Sequence, residues 1–378
     1  MYSRLLKPLK DKSFFLFGPR GTGKTSWVKA HFPNALYLDL LASENYTELL
    51  ANPQRLERHI APKFKDWIII DEVQRIPDLL NEVHRLIEAK KYRFILTGSS
   101  ARKLKKHGSN LLAGRALTKQ LYPLTVQELG KDFQLSHSLQ YGHLPMVFSE
   151  SDPHAYLQAY VQTYLREEVL QEGLTRNLAA FSRFLEAASF SQASVLNISE
   201  VARECHVERK VVENYFSILE DLLLASRIPV FTKKAKRRMM QSSKFYFFDV
   251  GLYRTLRQQG PLDEPEHIEG ACLETLFYQE LRAQLAYQAS DYQLFYWRTA
   301  NQMEVDFVLY GSKGILAFEV KRSKKIRSDD LRGLLLFQKD YPQAKCYFLS
   351  GEAKEFVENG IHFIPFEKAL RSIPSFLV

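Results

Sequence analysis

The sequence predicts an α/β protein of several domains, and three observations carry that expectation. An apolar strand at 14–17 runs into a glycine-rich turn and then a helix in "SFFLFGPRGTGKTSWVKAHF". A second apolar run, "WIII" at 67–70, ends on two adjacent carboxylates, Asp71 and Glu72. The 378 residues exceed the length at which one hydrophobic core stops growing, so roughly two to four domains are expected.

Composition narrows the class. With 46% hydrophobic and 25% charged residues the chain is rich enough in apolar surface to fold, which argues against disorder. No segment approaches the roughly 18 apolar residues of a membrane span. Cys205, Cys272 and Cys346 are far apart with no C-x-x-C spacing, so neither a zinc knuckle nor a disulfide framework is expected, and a reducing cytoplasm fits. The formal charge of +9 favours an anionic partner such as nucleic acid.

The first strand, turn and helix match G-x-x-x-x-G-K-S/T, with Gly18, Gly23, Lys24 and Thr25 at the fixed positions. Glycines let successive backbone N–H groups fold around phosphates, so the stretch Gly18, Pro19, Arg20, Gly21, Thr22, Gly23, Lys24, Thr25, Ser26 is the candidate ATP/ADP cradle. Lys24 is expected to neutralise charge at the β and γ phosphates, and the Thr25 hydroxyl to ligate Mg²⁺. Asp71 stands at the carboxyl end of the second strand, where an open α/β sheet keeps its ligand, and is expected to hold the Mg²⁺ shell. Glu72 is the candidate for polarising the attacking water. A third strand in "YRFILTGSSARKL" offers Thr97 or Ser99 to the γ-phosphate, although a plain strand exit explains both nearly as well. Arg115, in "LLAGRALTKQLYPLTVQEL", has two readings: a finger reaching a neighbouring subunit's γ-phosphate, or a surface or DNA-facing charge.

In this order, "FGPRGTGKT", "IIIDEVQRIPD", "FILTGSS", "LLAGRA" and "LYPLTVQEL" resemble a widespread bacterial and archaeal family of AAA-type P-loop ATPases whose C-terminal domain was long catalogued as of unknown function. "YGHLPMV" resembles its Gly-Gly-x-Pro segment, with His143 near the usual second glycine, and "AYVQTYLREEVL" resembles its helical lid. The likeness spans almost the entire chain. It implies an ATPase domain at 1–125 using ATP and Mg²⁺, and a helical lid at 126–178.

From about residue 180 the pattern turns helical. Asn197 with Glu200 three residues on predicts a capping box. After a turn near His206, a longer helix carries Val211, Tyr215, Ile218, Leu219 and Leu222 toward a core and leaves Arg209, Lys210 and Asn214 outside. Two helices followed by a basic hairpin predict a winged helix-turn-helix over 179–260, as the same family resemblance implies. Arg209, Lys210 and Asn214 are then candidates for DNA contact, with Lys233, Lys234, Lys236, Arg237 and Arg238 set to neutralise phosphates. The plain reading is a protein-docking module with a solvated hairpin.

In the last stretch, 261–378, "AFEVKRSKK" places Glu319 and Lys321 on one face of a strand by period-two alternation, and Glu304 and Asp306 share a face of the strand before. Glu274 lies on a preceding amphipathic helix. Oxygen ligands of this kind hold Mg²⁺ for phosphodiester hydrolysis while a nearby ammonium orients water. The order helix-Glu, strand-Asp, strand-Glu-x-Lys resembles the PD-(D/E)xK nuclease superfamily and implies an α/β restriction-endonuclease-like domain. Glu274, Asp306, Glu319 and Lys321 are its catalytic positions, with Asp306 and Glu319 on the metal. An ordinary edge-strand ion pair is the bland alternative. The basic run Arg322, Lys324, Lys325, Arg327 suits a phosphate backbone or simply a solvated surface. Three complete readings follow: an ATP-driven enzyme acting on DNA, a homo-oligomer where Arg115 acts as a finger in trans, an ATPase switch with a non-catalytic partner-binding module, and an RNA-directed or defence-type NTPase.

Overall fold

The computed structural model describes residues 2–100, 104, 112, 114–165, 177–232, 242–261, 263–323, 326–351 and 354–378. The chain divides into two compact units, Met1–Leu124 with Asp221–Leu224, and Thr125–Glu220 with Ala225–Val378. The stretches expected as lid, winged helix and nuclease-like domain fall within the second unit apart from Asp221–Leu224.

The first unit is a parallel five-stranded sheet. Strands β1 (Phe14–Phe17), β2 (Leu36–Asp39), β3 (Trp67–Asp71), β4 (Arg93–Gly98) and β5 (Leu117–Gln120) lie in the order β2-β3-β4-β1-β5. Helices α1 (Lys24–His31), α2 (Ser43–Ala51) and α3 (Leu79–Lys90) accompany them. Both faces of β1 and β3 are buried, which is why these strands read as continuous apolar runs instead of alternating ones. Phe15, Ile68, Ile70, Phe94 and Leu96 pack with Val83 and Leu86 of α3 on one side. Opposite them Phe14, Trp27, Phe32 and Trp67 meet ring edge to ring face, with Phe14 and Trp67 centroids 5.9 Å apart and Phe32 and Trp67 5.1 Å apart. The strand order sets the carboxyl ends of β3, β4 and β1 side by side.

The second unit begins with α4 (Val126–Leu129), α5 (Leu135–Tyr141), α6 (Pro153–Ala159) and α7 (Leu178–Ser189). Then come β6 (Ser194–Val195), α8 (Ile198–Cys205), α9 (Arg209–Asp221), β7 (Ala225–Ile228), β8 (Lys244–Phe247) and α10 (Val250–Leu256), the strands forming an antiparallel sheet in the order β6-β8-β7. Asn197 caps α8 by accepting the Glu200 N–H at 3.3 Å, but the Glu200 carboxylate answers the Asn197 side-chain amide at 3.1 Å instead of its backbone. His206 closes α8 in the left-handed region at φ 52°. On α9 the buried positions are Val212, Tyr215, Phe216, Ile218 and Leu219, so Val212 takes the inward place expected of Val211, which is half-buried.

A 23-residue helix, α11 (Pro265–Tyr287), leads into a six-stranded mixed sheet: β9 (Gln293–Arg298), β10 (Glu304–Gly311), β11 (Gly314–Val320), β12 (Lys345–Ser350), β13 (Phe356–Glu358) and β14 (Ile361–Pro365), in the order β13-β14-β12-β11-β10-β9. Phe277 of α11 packs on Phe307 and Phe318 at 5.5 and 5.3 Å. The opposite face is covered by α12 (Arg332–Asp340), whose Leu334 and Phe337 join Trp297, Val305, Ala317 and Phe348. With α13 (Phe366–Phe376) closing over Phe318 at 5.6 Å, β11 is buried from Ile315 to Val320. The pairing of β9 with β10 slips between Val305 and Val308, an irregularity that re-aims side chains, and Asp306 sits inside it.

Candidate functional site

The glycine-rich turn leaves β1 and enters α1. Gly23, the residue before α1, has φ 91°, a left-handed conformation that L side chains resist. A Cβ on Gly18 would stand 2.4 Å from the Leu121 carbonyl oxygen. Lys24, 6% exposed, donates to the Gly18 and Pro19 carbonyls at 2.8 and 3.1 Å, and Thr22 braces the same turn by donating to Pro19 at 2.8 Å. Arg20, Gly21 and Thr25 are half-buried and Ser26 is exposed.

Asp71, at the end of β3, is 3% exposed and gathers hydroxyl donors from three elements. Thr25 donates to Oδ2 at 2.8 Å, Tyr37 to the same oxygen, and Thr97 to Oδ1. Burial, then the hydrogen bond and charge of Asp71, push the Tyr37 phenol well above its ordinary pKa and keep it a donor. A buried carboxylate held by neutral hydroxyls at the mouth of a lysine-bearing turn fits a divalent cation. Glu72 follows at φ 60°. Its Oε2 accepts Gln74 Nε2 at 2.5 Å, and the same amide reaches Ser99 Oγ at 3.1 Å. Thr97 is thus committed to Asp71 and Ser99 to Gln74; Tyr37 and Gln74 had no signal in the sequence beyond position next to a strand end. Arg115 is ion-paired with Glu88 of α3.

The second cluster brings together Glu274, Asp306, Glu319 and Lys321, and adds two residues that sequence reasoning left out. Lys244 of β8, 1% exposed, places its ammonium 2.5 Å from Glu274, 2.7 Å from Glu304 and 3.0 Å from Asp306. Tyr246, two residues on and on the same face, donates to Glu274. Asp306 Oδ2 accepts the Val320 N–H at 2.9 Å, and Lys321 pairs with Glu319 Oε1 at 2.8 Å, leaving Glu319 Oε2 buried without a partner. Burial alone would lower the Lys244 pKa, but the charges of Asp306 and Glu274 outweigh it and hold it well above the lysine value. Burial and the charge of Asp306 raise Glu319. Asp306 is itself lowered, because Lys244 and Lys321 overcome its burial. The signal for Lys244 was a lysine opening "KFYF", a strand buried at every position.

Arg209, Lys210 and Asn214 are exposed on α9. Lys233, Lys234, Lys236, Arg237, Arg238, Lys324 and Lys325 lie outside the described residues. Arg322 is ion-paired with Glu269 at 2.5 Å.

Residues 10–130 match the model of the AAA domain, 132–263 that of a domain of unknown function (DUF8612), and 269–369 that of a second such domain (DUF4143). The chain therefore carries an AAA domain of the P-loop ATPase type at its N-terminal end and a DUF4143 domain at its C-terminal end. It is 29% identical over 320 residues to an uncharacterized protein of Mycobacterium tuberculosis, covering 82% of this chain and 70% of that one. An uncharacterized protein of Methanocaldococcus jannaschii is 23% identical over 357 residues, covering 85% and 78%. Among solved structures, the Orc1 protein of Aeropyrum pernix in complex with DNA is similar at 14% identity over 66% of this chain and 87% of that one, with a TM-score of 0.25.

Proposed function

We propose that the protein is a Mg²⁺-dependent ATP hydrolase that acts on DNA. The observation that carries the first half is the meeting of the glycine turn, Lys24, the Thr25–Asp71 pair at 2.8 Å and Glu72 at the carboxyl ends of adjacent parallel strands. The N–H groups of 18–25 would cradle phosphate oxygens, and Lys24 would leave the Gly18 and Pro19 carbonyls for the β and γ phosphates. Thr25 and Asp71 would hold Mg²⁺, which supplies neutralising charge at those phosphates. Glu72, held by Gln74, would orient water and take its proton. Lys24→Ala is expected to lose ATP and ADP binding in calorimetry, whereas Glu72→Gln keeps binding and loses turnover by at least about 100-fold. Normal turnover by Glu72→Gln would remove that residue from the role; a wild-type chain that binds neither nucleotide would end the proposal.

Action on DNA rests on the two helices α8 and α9 with their short turn, the exposed Arg209, Lys210 and Asn214 on α9, and the net charge of +9. Filter binding at graded salt should give a steep salt slope, reduced by about one unit for each of Arg209→Ala and Lys210→Ala. A slope unchanged in both variants, or tighter retention of RNA, removes the DNA reading. Lys244 favours a second reading for the C-terminal stretch, in which a nuclease-like sheet serves as a partner-binding module under an ATPase switch.

A further inference from the structure

The carboxylate cluster of the second unit already contains a cation, and that cation belongs to the chain. An ammonium has three N–H donors and no acceptor. Lys244 meets Glu274 of α11 and Glu304 and Asp306 of β10 at 2.5, 2.7 and 3.0 Å, donating a hydrogen bond to Asp306 Oδ1 and pairing its charge with the other two carboxylates. With the side chain 1% exposed, water does not compete for them.

A divalent ion of the Mg²⁺ class needs several oxygens at about 2.0–2.1 Å around one point. The point on which these three carboxylates converge is the ammonium itself, so lysine and metal exclude each other there. The remaining oxygens do not make up the set. Asp306 Oδ2 is taken by the Val320 N–H, Glu319 Oε1 by Lys321 and Glu304 Oε2 by Arg298, while Lys244 and Tyr246 both meet Glu274 Oε1, which leaves only Glu274 Oε2 and the buried Glu319 Oε2. Among the described residues no group of three His, Cys, Asp or Glu side chains is placed to hold a metal. Residues expected to ligate Mg²⁺ therefore do not fit it as they stand.

The lysine also does what a free ion does not. It is tethered to β8, and that strand's neighbours tie into the same sheet and helix: Phe231 N–H donates to the Tyr296 carbonyl at 2.7 Å, Gln192 to Thr275 at 2.6 Å, and Tyr246 stacks on Tyr278 at 4.5 Å. We propose that Lys244 is the resident cation of this cluster, drawing on Asp306, one of the two residues expected to ligate the metal of a Glu-x-Lys nuclease, and that the C-terminal sheet is a metal-free, non-cleaving module clamped by this lysine to the segment before it. The inference is independent of nucleotide hydrolysis in the first unit.

The test counts Mn²⁺ bound to nucleotide-free, full-length protein by electron paramagnetic resonance of the free ion. Wild type and Asp306→Asn are expected to bind the same number. Lys244→Gln, with the three carboxylates released, is expected to gain one Mn²⁺ per chain, and adding Asp306→Asn should remove it again. A wild-type chain that holds a Mn²⁺ lost on Asp306→Asn overturns the proposal, as does a folded Lys244→Gln chain that gains none. Should Lys244→Gln fail to fold, wild type decides alone, together with a nicking assay on single-stranded, duplex and branched DNA in Mg²⁺ and Mn²⁺. No cutting is expected; cutting that disappears in Glu319→Ala sinks the idea.

Discussion

Asp71 and Lys244 are both charges enclosed by three partners, and the chemistry of the partners separates their capacities. Around Asp71 the donors are the hydroxyls of Thr25, Tyr37 and Thr97, neutral groups that can turn aside when a stronger cation arrives. Around Lys244 the partners are carboxylates, and moving any of them away would leave a buried charge without compensation. Tyr37→Phe isolates the first case. Removing one donor from an ionised carboxylate should cost the nucleotide-free protein about 1.5–3 kcal/mol, measured by denaturant unfolding. With saturating Mg²⁺ and ADP the cost should shrink, because the cation replaces the phenol; an equal cost in both conditions would show that Tyr37 never yields its place.

At the scale of elements, α11 carries the two acids that organise the second unit. Glu274 serves Lys244, and further along, Glu280, 1% exposed, receives the Val126 N–H of α4 at 2.7 Å while its other oxygen has no partner. Burial, only partly offset by the Val126 hydrogen bond, pushes Glu280 well above the ordinary carboxyl value. A raised acid binds its proton more tightly in the folded chain, so its stabilising contribution is complete below the unfolded pKa and is lost as pH rises through the folded one. Glu280→Gln, which imitates the protonated group, should match wild type near pH 4 and then gain on it by about 1.4 kcal/mol per pH unit until the folded carboxyl ionises. A constant difference from pH 4 to 9 would mean that the group is not held neutral. Elements of this kind were unevenly legible in the sequence. The glycine turn could be read because strand, loop and helix follow one another within a dozen residues and each dictates its own chemistry. Asp306 and Glu319 could be placed by alternation alone. Lys244 could not, because its partner Asp306 is 62 residues away and the contact depends on a three-dimensional meeting of β8 with β10.

For the whole molecule, two compact units imply that unfolding need not be a single transition. ADP with Mg²⁺ should raise the midpoint of the unit that holds Lys24 by mass action, about 2.7 kcal/mol at 100 times the dissociation constant. Scanning calorimetry should show one shifted component and one fixed component, whereas equal shifts of both would make the chain one cooperative body. The course of the division could not be anticipated from length, since Asp221–Leu224 counts with the first unit although the residues on either side of it count with the second. The tryptophans follow that division. The chain has three; Trp27 and Trp67 are buried beside Phe32 in the first unit, and Trp297 is buried against Phe337 in the second. The indole Nε1 of Trp297 has no hydrogen-bond partner, so phenylalanine there forfeits volume but no polar contact. Tryptophan emission from such a chain would come from the first unit alone, giving an optical readout of one unit while only tyrosine reports on the other.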